Sequence, residues 1–157
     1  MKTPDSKLYS KEYFLSTEGI DYFKKGLISP KFEHAVNIAK LKSGMKILDI
    51  GCGRGDIVLA CARKNIYSFG IDYAHDAIEI AKAAKQSLPD NLASLFSVHQ
   101  ASADTLPFKE STFDKIFFMD VAEHLSSSDL LQCFKECEKI LKEDGELNNP
   151  YFTQPVV

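Results

Sequence analysis

Residues 46–56 read Lys-Ile-Leu-Asp-Ile-Gly-Cys-Gly-Arg-Gly-Asp. A short apolar run ends in Gly51, Gly53 and Gly55, three glycines within five positions. Glycine has no Cβ and accepts unusual dihedrals, so a turn built this way lets a ligand lie against the backbone. A phosphate, a metal and a nucleoside are all candidate guests, and the neighbouring residues choose between them.

A phosphate-binding loop of the G-x-x-x-x-G-K-[ST] type needs a lysine and a hydroxyl after its last glycine. Here Asp56 and Ile57 follow Gly55, and Asp56 would repel a phosphate at a helix start. The dinucleotide fingerprint G-x-G-x-x-G is one residue longer than the G-x-G-x-G present. Asp49, just before the loop, also suits a pyrophosphate poorly. A nucleoside that carries positive charge fits these acidic neighbours better.

Outward from the loop, strands and helices alternate. Residues 45–50 form a first apolar strand and residues 56–64 a helix. Residues 66–72 form a second strand, and residues 75–88 a helix with Ile78, Ala81, Ala84 and Leu88 on one side. Third and fourth strands follow at residues 94–100 and 114–120. A helix over 127–145 is capped by a serine or Asp129 and stopped by Gly145. Upstream, Ser29-Pro30 starts a helix that Ser43-Gly44 closes. Alternation of this kind requires crossover connections, hence an α/β fold with a doubly wound, mostly parallel sheet. Ligands of such sheets bind outside the carboxyl ends of the strands, where Gly51 to Gly55 fall.

The motifs in order resemble those of the class I S-adenosylmethionine-dependent methyltransferases. The resemblance rests on residues 47–56 (ILDIGCGRGD), 70–83 (GIDYAHDAIEIAKA), 101–108 (ASADTLPF) and 113–125 (FDKIFFMDVAEHL). It runs from about Lys46 to Gly145 and implies a Rossmann-like core, S-adenosyl-L-methionine as cofactor and methyl transfer as the reaction. It also implies site residues. Gly51, Cys52 and Gly53 would carry the ligand on the loop, and Asp49 would help hold the methionine amino group. Asp72 would accept from the ribose hydroxyls, with Tyr73 along the adenine. Ala103 and Asp104 would meet the adenine edge, and Asp120 and Val121 the methionine part and the transferred methyl. Each has a plainer reading: the glycines as turns, Asp72 or Asp120 as helix caps, Asp104 as a turn former. Their joint placement at the ends of consecutive strands favours the site.

His124 lies close to the methyl-transfer side and is a weak candidate for a general base. A packing or hydrogen-bonding role is favoured, since many methyl transfers need only alignment. Glu123 and His124 do not make a metal pair, because neighbours on a helix diverge, and the cysteines offer no C-x-x-C, so no metal site is expected. Tyr9, Tyr13 and Phe14 could form a lid over the cofactor or a buried anchor.

Composition narrows the partners. The net charge of −3 gives no basic footprint for nucleic acid, which leaves a small-molecule acceptor as the default. No apolar stretch approaches the ~20 residues of a membrane span, and Cys52, Cys61, Cys133 and Cys137 read as free thiols of a reducing cytoplasm. The domain division expected is an N-terminal helical arm over 1–28, the cofactor-binding domain over 29–147 and an irregular tail over 148–157.

The tail departs from the family pattern. A fifth apolar strand should follow LKEDGEL, yet Asn148-Asn149-Pro150 intervenes, and proline blocks a central strand. The last strands are expected to be missing, with four main strands or five. The fourth strand would then be an edge that invites a homodimer, and the acceptor pocket would be incomplete. Two rivals follow: a cofactor-binding or interaction module without activity, and a nucleotide-binding oxidoreductase disfavoured by the glycine spacing. The NNPY stretch does not act as an amino-methyltransferase motif, since it does not follow the fourth strand.

Overall fold

The computed structural model describes residues 9–149, and the expectations for residues 1–8 and 150–157 lie outside them. Three helices come first: α1 (Lys11–Phe14), α2 (Ile20–Lys24) and α3 (Pro30–Ile38). Then β1 (Lys46–Ile50), α4 (Asp56–Arg63), β2 (Tyr67–Asp72), α5 (His75–Lys85), α6 (Asp90–Ala93) and β3 (Phe96–Gln100) alternate. The chain finishes with β4 (Phe113–Phe118), a 3-10 turn at Ala122–His124, α7 (Ser127–Ile140) and β5 (Leu141–Asn148).

The sheet has five strands in the order β3-β2-β1-β4-β5, all paired in parallel. The chain winds outward from β1 to β3, then returns to the other side of β1 as β4. That reversal opens a crevice beyond the carboxyl ends of β1 and β4. Parallel strands are covered on both faces, which is why Ile47, Leu48, Ile50, Ile116, Phe117 and Phe118 are all buried. Side chains alternate: Ile47 and Phe117 join α3 and α4, while Leu48, Ile50, Ile116 and Phe118 join α7 through Cys133, Cys137 and Ile140. Each fully buried phenylalanine contributes about 1.5–3 kcal/mol.

Four expectations about elements are corrected. First, α3 ends at Ile38 rather than at Ser43-Gly44; Lys40 takes a left-handed φ of 51° there. Second, α6 occupies a stretch read as connection, where Pro89 starts a single turn. Third, α7 ends at Ile140 instead of Gly145, although its cap is a serine as expected: the Ser126 hydroxyl accepts from Asp129 N. Fourth, β4 is not an edge. β5 pairs along it, and the reason for expecting dimerisation through β4 is thereby removed.

β5 escaped notice because an outer strand needs no apolar run: its residues alternate only between half-buried and exposed. Phe113 lies opposite Leu141 and Lys115 opposite Glu146, so β5 bulges between these pairs. Gly145 sits in the bulge, where a Cβ would come within 2.9 Å of Leu141 Cδ2 and of the Lys142 carbonyl. Two cross-strand ion pairs hold the register, Lys115 with Glu146 and Lys142 with Asp114, the latter at 2.9 Å. Asn148, assigned to the tail from sequence, is the last residue of this strand.

Candidate functional site

A cavity of about 240 Å³ lies at the crevice. Its walls include Asp49, Gly51, Cys52, Gly53, Asp72, Tyr73, Ala103, Asp120, Val121 and His124. Of the residues singled out from sequence, Asp104 alone is not on its wall; it lies half-buried in the adjoining turn. Gly51 is fixed by its surroundings. Its φ is +71°, and a Cβ would stand 2.4 Å from Val121 Cγ2. The loop after β1 can approach the loop after β4 only because that atom is absent.

The loop is tied to β2 by hydrogen bonds. Cys52 N donates to the Ile71 carbonyl at 2.8 Å. Gly53 N donates to Asp72 Oδ2 at 2.9 Å, and Ala74 N to Asp72 Oδ1 at 2.9 Å. Asp72 therefore fastens the glycine turn to the start of α5 while each of its oxygens keeps a further lone pair. Asp120, at the end of β4, has a left-handed φ of 51°, and Lys31 Nζ donates to its Oδ2 at 2.5 Å.

Four aspartates thus meet around one cavity, and three of them are deeply buried: Asp49 is 3% exposed, Asp56 4% and Asp72 7%. Burial, then the neighbouring charges of Asp72, Asp56 and Asp120, hold the Asp49 carboxyl well above the usual carboxylate range. Burial also raises Asp56 against the lowering pull of Arg54, and raises Asp72 against its backbone donors. The Cys52 thiol is pushed up, by burial first and then by Asp49 and Asp72, so it is no nucleophile. Among the described residues, Asp49 Oδ1, Asp56 Oδ1 and the Tyr73 hydroxyl are buried without a hydrogen-bond partner. Buried acceptors in that condition cost free energy that a cationic, hydrogen-bonding guest would recover.

Tyr9, Tyr13 and Phe14, expected as a lid or a buried anchor, also line the cavity, together with Thr17, Glu18, Lys31 and Arg54, which sequence reasoning did not assign to the site. Phe14 is buried, whereas Tyr13 is 38% exposed, so the aromatic run supplies both an anchor and a rim. The Tyr9 ring meets Tyr73 edge-on at 5.4 Å, and its hydroxyl lies 3.3 Å from His124 Nδ1. His124 is thus engaged by the arm, as its favoured hydrogen-bonding role requires. No group of acidic, histidine or cysteine side chains among the described residues could hold a metal ion.

The profile of the methyltransferase-domain family matches residues 48–148. The uncharacterized methyltransferase YcgJ of Bacillus subtilis is 29% identical over 111 residues, 70% of this chain and 42% of that protein. A ubiquinone biosynthesis O-methyltransferase of Brucella ovis is 32% identical over 108 residues, 68% of this chain and 41% of its own length. The solved structure of YcgJ matches with a TM-score of 0.65 and 26% identity, over 74% of this chain and 47% of that one. A SAM-dependent methyltransferase from Aquifex aeolicus matches in fold, with a TM-score of 0.66 and 20% identity over 88% and 71% of the two chains. The chain spans 42% of the length of YcgJ and 40% of that of a Vibrio cholerae ubiquinone biosynthesis O-methyltransferase.

Proposed function

We propose, because this chain belongs to the methyltransferase-domain family, that its cavity binds S-adenosyl-L-methionine for methyl transfer to a small organic acceptor. The observation that carries the reading is Asp49 Oδ1, buried beside three further carboxylates and without a partner. Lys31 pairs with Asp120 and Arg54 with Asp56, while no ion pair among the described residues engages Asp49 or Asp72, an arrangement that suits an ammonium better than a pyrophosphate.

The residues fit that cofactor. Asp49 would accept from the methionine ammonium, with Asp56 contributing negative field. Asp72 has lone pairs left for the ribose hydroxyls, and Tyr73 would lie along the adenine. Ala103 and Asp104 would border its edge, and Gly51, Cys52 and Gly53 form the floor. Asp120 and Val121 stand on the side of the transferred group. Bound there, S-adenosylmethionine supplies a methyl group on a positively charged sulfur, an electrophile that needs no metal. The chain's contribution is alignment and exclusion of water by Phe14, Tyr9 and Met119 along the wall. His124 holds the arm through Tyr9 and is not required as a base.

Two coarser features agree. Among the described residues no helix is long and apolar enough to cross a membrane. The four cysteines are buried free thiols, which suits a reducing cytoplasm. Relatives named for ubiquinone biosynthesis agree with a small-molecule acceptor. The test is the melting temperature with S-adenosylmethionine, S-adenosylhomocysteine and NAD. Either sulfur nucleoside at a hundredfold excess over its dissociation constant should add about 2.7 kcal/mol of apparent stability. A shift with NAD alone would overturn the reading. A shift without turnover on any acceptor would favour a cofactor-binding module.

A further inference from the structure

Arg54 stands between Gly53 and Gly55 in the loop after β1. In the fold it is 4% exposed, and its guanidinium makes four hydrogen bonds. Nε donates to Asp56 Oδ2 at 3.2 Å. Nη1 donates to the Phe14 carbonyl and to Thr17 Oγ1, both at 3.0 Å. Nη2 donates to the Glu18 carbonyl at 2.9 Å. The same group lies 5.2 Å from the centre of the Phe23 ring. Phe14 is the last residue of α1, Thr17 and Glu18 belong to the connection between α1 and α2, and Phe23 lies on α2 itself. One side chain from the cofactor loop therefore gathers the N-terminal arm.

We infer that Arg54 is a positioning residue that latches the arm against the glycine loop, and that this latch governs how fast a ligand leaves the cavity. The ligand's identity rests on the function proposed above. The inference follows from what the latch holds in place. Tyr9, Tyr13, Phe14, Thr17 and Glu18 all form cavity wall, so the cavity opens on that side when the arm lifts. Phe14 lies within 3.8 Å of the position a Cβ on Gly53 would take, directly against the loop. The arm is also fastened by Lys11 N to Asp76 Oδ2 at 2.8 Å, by the contacts of Tyr9 with His124 and Tyr73, and by packing of Tyr9, Phe14, Leu15 and Phe23 on Ala74, Ala77 and Ile80. Neither of these hydrogen bonds reaches the glycine loop, as those of Arg54 do. A planar guanidinium spreads five donors over a fixed fork and here serves four acceptors; an ammonium has three donors, all on one nitrogen.

A purely structural role for Arg54 would weaken the whole domain evenly. A latch would free the arm and leave the sheet intact. Arg54→Ala leaves the Asp56 carboxylate buried without a partner and could unfold the chain, so the deciding variant is Arg54→Lys. It keeps a positive charge beside Asp56 and loses the fork. Thr17→Val, which removes one acceptor, serves as the milder second variant. Hydrogen exchange on the full chain should show amides over residues 11–24 exchanging at least tenfold faster in Arg54→Lys. Those of β1, β2 and β4 should keep wild-type rates. Stopped-flow release of S-adenosylhomocysteine should be at least fivefold faster, with association changed less, and Thr17→Val should fall between. The proposal is overturned if arm exchange is unchanged, if it rises equally in the core strands, or if release keeps its wild-type rate while the arm is loose. Absence of S-adenosylhomocysteine binding to the wild type would overturn the cofactor reading together with the claim on release. The exchange comparison then still decides whether Arg54 holds the arm.

Discussion

The carboxyl ends of β1 and β2 differ from the outer strand β5 in how tightly residue identity is constrained. At the former, Gly51, Cys52 and Asp72 each meet a neighbour that leaves little choice of side chain. Along β5, most residues are half-buried or exposed, and the strand tolerates a bulge in its pairing. The contrast shows where this fold concentrates constraint. The ligand-facing turn is built from close approaches and buried charge, and the edge is held by backbone pairing and ion pairs near water.

The largest effect should come from the turn. Gly51→Ala places a Cβ against Val121 in a left-handed conformation, so it should cost about 3 kcal/mol of stability in chemical denaturation. A loss under about 1 kcal/mol would mean that the two loops separate easily and that the contact sets nothing.

A smaller, pH-dependent effect belongs to Asp49. Its folded carboxyl lies above its unfolded value, so ionisation penalises the folded state. The penalty is absent below the ordinary carboxylate range and grows as pH rises through the raised folded value. Asp49→Asn never carries it. The variant should therefore gain on the wild type by about 1 kcal/mol at neutral pH, and the gap should close on acidification. Denaturation curves across that range check the sign, and a gap that widens toward acid would contradict the burial of an ionised Asp49.

The smallest change should lie at the edge. Lys115 is buried while its partner Glu146 is 66% exposed. Lys115→Met keeps the stem in the core and leaves Glu146 in water. It should alter stability by less than about 1 kcal/mol. A loss of several kcal/mol would show that β5 depends on this pair and would erase the contrast with the turn.

The alternation from β1 to α7 was legible because buried parallel strands are apolar throughout and their helices carry one apolar face. The glycine turn was legible from its place after an apolar strand, and the acidic residues at the strand ends from the family resemblance. β5 was not, because Lys142, Glu143, Asp144 and Glu146 suit an outer strand as well as a loop. The two backbone bonds accepted by Asp72 were hidden as well, since they depend on how the turn folds back. Arg54 was least visible of all: two of its four acceptors are backbone carbonyls 40 and 36 residues earlier, which carry no sequence signal.

The most direct measurement is isothermal titration of S-adenosylhomocysteine into the full chain and into its Asp49→Asn variant at neutral pH. The account predicts saturable single-site binding by the wild type and affinity at least tenfold weaker in the variant, as loss of a charged hydrogen bond requires. Equal affinities, or no binding by the wild type, would contradict it.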